Sequence, residues 1–374
     1  MRKNFSIILI PVVICLIGIF SIYTNTYLSD NFVVGSSSLI DKINSFFNIL
    51  VGKQIVWLLI SLCVYWLVSC IYYRRLYDVA YFLYAFLLLL LVFVFVLGIV
   101  RLGAQRWLKI GFFNFQPSEF AKICIVLVMA RYFDYRRLKN IKLFDVDFAR
   151  GFVLPVVIVG IPCFLIAKQP DLGSAIIVFL ILVSILYVKG FSLKWFLLLA
   201  ILFLIAFPFV WSFLEGYQKQ RLLVFVNPNM DPLGAGYTVI QSKIAVGSGG
   251  FFGKGWLSGT QSQLHFLPEA HTDFIFATWA EERGFFGSAI LVTLYALLIK
   301  SIIDVGLKAK DNFAKLICVG IASMFGFQIS INILMTIGLS PVVGLPLPFM
   351  SYGGSSLLIS FISLGIISNI KNNL

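Results

Sequence analysis

Apolar runs of about 20 residues recur along the chain between short polar stretches, and each is long enough to cross a bilayer as a helix. Ten are centred near residues 14, 60, 90, 125, 159, 180, 204, 290, 325 and 361. The pattern predicts an all-α polytopic membrane bundle of about ten transmembrane helices, one integral domain over residues 1–374. The first run, Phe5–Tyr23, follows Arg2 and Lys3 in the manner of a secretory leader. It is long for one and lacks a small-x-small cleavage site, so it reads as a retained span. Pro155, Pro162 and Pro208 interrupt the runs near 159 and 204, as membrane helices allow where neighbours or a cavity satisfy the freed backbone groups. One interval breaks the rhythm. From Glu215 to Asp273 the chain is too polar and too long for a plain connection, and it is expected to form an extracytoplasmic loop between helices 7 and 8. Inside it, Tyr237–Val246 keeps a helical period, which predicts a short helix lying on the membrane surface.

Composition agrees: 60% hydrophobic residues, 12% charged and a mean hydropathy of +0.98 exclude a soluble globular protein. With the N-terminus cytoplasmic, 17 of the 29 Lys and Arg residues fall in inside segments, among only 6 acidic residues. By the positive-inside rule both termini are then cytoplasmic. The net charge of +13 sits mostly on that face, where anionic inner-leaflet lipid accounts for it without any nucleic acid. The six cysteines lie inside or at the ends of apolar runs, show no metal spacing and are expected to serve packing. With two histidines, His265 and His271, and no zinc spacing, a metal centre is not expected and no cofactor is evident, while dependence on a divalent cation stays open. The loop glycines match neither a dinucleotide fingerprint nor a Walker A loop and are expected to mark tight turns at the membrane surface.

Candidate chemistry gathers on the outward side. Leu267–Phe274 sets Glu269, His271, Thr272 and Asp273 where the long loop re-enters the apolar run Phe274-Ile275-Phe276-Ala277. An ionisable residue at membrane depth is a functional-site hypothesis by default; the plainer reading of Asp273 is an interfacial helix cap. Upstream, Gly103–Lys109 carries Arg106, and Gln116–Lys122 reads as a helix start with Glu119 and Lys122 on one face. Lys122 is either a snorkelling lysine paired with Glu119 or, with Arg106, part of a cationic wall for a phosphate-bearing ligand. Asp171, in Gln169-Pro170-Asp171-Leu172-Gly173-Ser174, either caps the next helix or faces inward toward Lys122. The long loop adds Arg221 and Lys243, and Gly344–Ser356 supplies Pro- and Gly-rich backbone with small hydroxyls.

Six of these strings, Gly103–Trp107, Gln116–Lys122, Gln169–Ser174, Asp231–Gly255, Pro268–Ala277 and Gly344–Ser356, resemble in order and spacing the SEDS family of cell-wall polymerases, which includes RodA, FtsW and SpoVE. Gly259–Leu264 and Gly234–Gly255 look most like the elongation-type member, RodA. The resemblance implies a peptidoglycan glycosyltransferase that polymerises lipid II into β-1,4 glycan strands on the outer face of the cytoplasmic membrane, beside a class B penicillin-binding protein that cross-links them. Asp273 matches the family's catalytic acid. A general base for the attacking hydroxyl and positive charge for the departing pyrophosphate are the roles to fill, with Arg106, Lys122, Arg221 and Lys243 as cationic candidates in that order. Two other classes stay open: a lipid-linked precursor flippase, which needs polar residues through the whole depth, and a non-catalytic scaffold, which would not need Asp273.

Overall fold

The computed structural model describes residues 5–31, 50–101, 104–111, 113–134, 149–191, 216–264 and 266–374, with isolated positions between 194 and 212. The long helices are α1 (Phe5–Asn31), α2 (Leu50–Cys70), α3 (Arg74–Leu97), α4 (Pro117–Phe133), α5 (Leu154–Lys168) and α6 (Leu172–Val188). The long loop contributes α7 (Gly216–Val226), α8 (Ala235–Ser248) and the single turn α9 (Thr260–Gln263). The chain ends in α10 (Ile275–Lys308), α11 (Asn312–Thr336) and α12 (Gly354–Asn372). Nine of the ten predicted runs are therefore helices, and the tenth, near 204, lies outside the described residues except at isolated positions. Among the described helices seven are long and apolar enough to cross a membrane, and α6 is a shorter apolar one. The helix expected at 237–246 is α8.

The centre of the bundle is α4. Nearly every side chain on it is buried, Lys122 and Glu119 included, and a helix covered on all sides belongs at the core. It packs against α3, α6 and α11, while α12 pairs with α2, and α1 with α10. Glycines set several of these contacts. A Cβ at Gly320 would stand 2.7 Å from Val126 of α4, and one at Gly365 would stand 3.0 Å from the Tyr65 carbonyl of α2. Small residues let membrane helices approach this closely, where apolar burial alone gives little drive between them.

Two features depart from the sequence reading. A three-stranded antiparallel meander, β1 (Ile99–Arg101), β2 (Ala104–Ile110) and β3 (Phe113–Phe115), joins α3 to α4, in a bundle expected to be wholly helical. Its alternation is short and was hidden beside the longer apolar run. The cysteines also divide: Cys15, Cys124 and Cys318 are buried, but Cys63 and Cys70, one heptad apart on α2, face outward and pack nothing inside the bundle.

Candidate active site

Asp273 sits at the end of a tight turn that leads directly into α10. The turn forms because Glu269 adopts φ 52°, left-handed backbone that a non-glycine residue takes only when its surroundings enforce it. The amides of Thr272 and Phe274 both donate to the Glu269 carbonyl, at 3.1 and 3.3 Å, and the Thr272 hydroxyl donates to Glu269 Oε2 at 2.8 Å. A second loop, Gly344–Gly353, is stitched to this turn. Ser351 Oγ donates to the Thr272 carbonyl at 2.6 Å, and the Tyr352 amide to that of His271 at 2.9 Å. Asn332, buried on α11, uses its one amide nitrogen to join the two loops, donating to the Asp273 carbonyl at 2.9 Å and to Leu345 at 2.6 Å. Tyr295, Gln328 and Gln54 fix the second loop from α10, α11 and α2 through Pro348, Pro346 and Ser351.

The Asp273 backbone is thus fixed while its carboxylate accepts no hydrogen bond from any described residue. It is half-buried, and a Cβ on Gly344 would stand 3.6 Å from its Oδ2. Burial, reinforced by the negative charge of Glu269, raises its pKa to about 6, against the opposing pull of Arg106 and Arg221. His271, edge-on to Tyr352 with ring centroids 6.0 Å apart, is pushed below the usual imidazole value by burial, with Glu269 opposing. Among the described cations, Arg106 from β2 and Arg221 from α7 act by their charge to lower the pKa of Asp273.

Lys122, Glu119 and Asp171 are committed elsewhere. Lys122 Nζ donates to Glu119 Oε1 at 2.7 Å and to Gln328 Oε1 at 3.0 Å, with only 1% of its side chain exposed. Asp171 caps α6 through the Ser174 amide and accepts from Ser118 Oγ at 2.6 Å and Gln116 Nε2 at 3.0 Å. Lys122 and Asp171 therefore do not pair with each other. Asp171 meets the residues one turn before Lys122, because Pro117 starts α4 there and points the Ser118 hydroxyl at the α6 cap. Lys243 is exposed on α8, its aliphatic chain arched over Gly338, and among the described residues it forms no hydrogen bond or ion pair with the Asp273 turn.

Sequence reading missed two residues that hold the site. Asn332 and Gln328 lie four apart in an otherwise apolar helix, a spacing that places both on one face and could have marked them. Glu281, wholly buried on α10, accepts from Lys254 Nζ at 2.6 Å, from Thr260 Oγ1 at 3.1 Å and from the Gln261 amide at 3.1 Å. It ties the long loop to the helix that follows Asp273, and it removes Lys254 from the set of cations open to a ligand.

Residues 7–374 match a family described as cell cycle protein, comprising FtsW, RodA and SpoVE. The peptidoglycan glycosyltransferase MrdB of Escherichia coli strain K12 is 45% identical over 299 residues, covering 78% of this chain and 77% of the relative. Stage V sporulation protein E of Bacillus subtilis strain 168 is 38% identical over 287 residues, 76% of each chain. Among solved structures, a chain of a peptidoglycan synthase complex aligns with a TM-score of 0.78 at 32% identity, over 99% of this chain and 97% of that one. The rod shape determining protein RodA of Thermus thermophilus aligns with a TM-score of 0.68 at 28% identity, over 99% and 96%.

Proposed function

The chain belongs to the FtsW, RodA and SpoVE family, and we propose that Asp273 is the general base with which it joins lipid-linked disaccharides. It is a multi-pass membrane protein and a peptidoglycan glycosyltransferase. The substrate we assign is lipid II. In the reaction the 4-hydroxyl of one disaccharide attacks C1 of another, Asp273 takes the hydroxyl proton, and the bond from C1 to the undecaprenyl pyrophosphate breaks. Direct displacement turns an α-linked donor into a β-1,4 product, so no covalent sugar–enzyme intermediate is needed, in contrast to retaining glycosidases. The steps call for no redox or group-carrying cofactor.

One observation carries the assignment of the base. Asp171 and Glu281 accept hydrogen bonds that hold elements together, and Glu119 and Glu269 accept theirs within α4 and within the turn, whereas the Asp273 carboxylate accepts none from the described residues. Glu282 Oε1 is likewise unpartnered, but Glu282 is buried on α10 nine residues after Asp273. A carboxylate with open lone pairs and a pKa drawn toward neutrality is suited to receive a proton. Arg106 and Arg221 are the cations we assign to the leaving pyrophosphate, because their charge already acts at Asp273. Lys122 supports the site as part of its frame, and Lys243 stands last among the cations. We place Asp273 on the outer face, with both termini cytoplasmic, following the Lys and Arg distribution. A class B penicillin-binding protein is the partner we assign, on the likeness to a chain of a synthase complex.

The test is Asp273→Asn in purified protein, assayed for glycan chains from lipid II with and without the penicillin-binding partner. The swap keeps size and removes the base, so polymerisation should fall by about a hundredfold or more while the protein elutes and unfolds as the parent does. Parental rates with asparagine would return Asp273 to the role of helix cap and revive the scaffold reading.

A further inference from the structure

The helix that follows Asp273, α10, is broken at Gly284, where φ is 65° and ψ −162°. A break frees backbone groups on both sides, and the hairpin Gly249–Gly255 of the long loop takes them up. The Lys254 amide donates to the Glu281 carbonyl at 3.0 Å and the Gly255 amide to Glu282 at 3.1 Å. From the other side, the amides of Phe285 and Phe286 donate to the carbonyls of Gly250 and Phe251 at 2.8 and 3.0 Å. Only glycines permit so close a joint, for a Cβ at Gly253 would stand 2.1 Å from the Glu282 carbonyl oxygen. The Lys254–Glu281 ion pair locks it.

What this fixed hairpin presents is aromatic. Phe251 is 74% exposed and Phe252 86%, beside Phe285 at 67% and Phe286 at 63%. The rings of Phe251 and Phe285 meet edge-on at 5.9 Å. On the neighbouring flank Trp256 stacks on Phe20 of α1 at 5.2 Å.

The depth of this cluster follows from helix length. The 24 residues of α10 after the break rise about 36 Å at about 1.5 Å each, slightly more than the roughly 30 Å of hydrocarbon. The break therefore lies at one edge of the bilayer core. Phe20, in the last third of the span Ile7–Thr26, gives the same level from a second helix. Tryptophan, as at Trp256, concentrates at this boundary, and wholly apolar phenylalanine rings seat on its hydrocarbon side. The cluster is also continuous with a strip that faces lipid, since Phe286, Ile290 and Leu297 are exposed along one side of α10.

We propose that the Phe251–Phe252 tip, with Phe285 and Phe286, is a membrane-seated anchor whose occupant is the acyl-chain boundary of the leaflet on the Asp273 side. The anchor sets the height of the long loop against the bilayer, and so against the headgroup layer in which a lipid-linked substrate is presented. It stands whether or not Asp273 is the base, because its test reads position rather than turnover.

The test is Phe252→Trp in proteoliposomes of the full chain, read as the difference in emission from the parent protein. With phosphatidylcholine brominated near the top of its acyl chains, the difference emission should fall by half or more, while aqueous iodide should leave it unchanged. Quenching by iodide with no effect of the brominated lipid would overturn the anchor, leaving the tip in water for a protein partner or a second copy. A Phe251→Asp/Phe252→Asp variant supplies a second measurement. Its loop should be cut by added protease at least fivefold faster than the parent's in liposomes, with matching rates in detergent; equal rates in liposomes would likewise overturn the proposal.

Discussion

Replacing Lys122 by methionine tests the frame around the site. The side chains of Lys122 and Glu119 are 1% and 3% exposed, and their charged atoms stand 2.7 Å apart on the central helix. Methionine fills most of the lysine's volume and removes its charge, so the loss is electrostatic. A buried pair broken on one side leaves an uncompensated charge, at a cost of about 3–5 kcal/mol. Gln328 also loses the ammonium it accepts from at 3.0 Å, worth about a further 1.5–3 kcal/mol. Since Gln328 Nε2 holds the Pro346 carbonyl, that loss reaches the loop stitched to Asp273. Glu119→Gln should cost nearly as much, because it strands the ammonium instead. The double variant Glu119→Gln/Lys122→Met has no charge left to strand, and buried pairs replaced by apolar or neutral groups are often close to neutral. The coupling across the cycle is therefore several kcal/mol, measured by equilibrium unfolding of the four proteins in mixed micelles. Additivity within about 0.5 kcal/mol would refute the pairing. So would a cycle in which Lys122 couples more strongly to Asp171, which contacts Gln116 and Ser118 instead.

Polymerisation should require ionised Asp273 and so fall as pH drops through about 6; Glu269→Gln removes a charge that raises this pKa, and should move the acid limb of the rate profile to lower pH. A limb that does not move would separate Glu269 from the base. Gly18→Ala places a Cβ 2.3 Å from the Met350 carbonyl oxygen, where backbone must yield, and should lower stability by about 1–3 kcal/mol in thermal unfolding; an unchanged midpoint would show that α1 does not bear on the second loop. A cysteine at Ser258 should react with an impermeant thiol reagent in intact spheroplasts, and one at Asn140 only after permeabilisation. The reverse pattern would invert the topology, and reaction of Ser258→Cys from both sides in different states would favour a flippase.

The bundle was legible because hydrocarbon imposes one rule on every span, and the rule leaves long apolar runs. The start of α4 at Pro117, the Glu119–Lys122 pair and the Asp171 cap were also legible, since each depends on neighbours within four residues. What the sequence concealed are contacts between distant segments. Asn332 joins Asp273 to Leu345, Ser351 reaches Thr272, and Glu281 gathers Lys254, Thr260 and Gln261. Each is a polar side chain whose partner is fixed by how helices pack, and no local spacing encodes that. The meander that carries Arg106 was hidden for another reason: strands of three residues leave too short an alternation to read.

The break at Gly284 also changes the terms on which Asp273 is understood. Beside the run Phe274–Ala277 a carboxylate looks set within hydrocarbon, where its charge would be opposed by the bilayer itself. The structure puts nine helical residues, Ile275–Arg283, between the Asp273 turn and the break, a rise of about 14 Å at about 1.5 Å per residue. On the proposed seating of the break at the hydrocarbon edge, Asp273 lies on its polar side, in a roof built from the two stitched loops. Its environment is then set by protein groups whose effects oppose one another: burial and Glu269 raise the pKa, Arg106 and Arg221 lower it, and the balance lies near 6. At neutral pH such an acid is mostly ionised yet more basic than an ordinary aspartate, which is the compromise a general base requires. Hydrocarbon alone would have driven the carboxyl to its neutral form. A protein roof can tune it, and residues such as Glu269 and Arg221 are where that tuning is open to change.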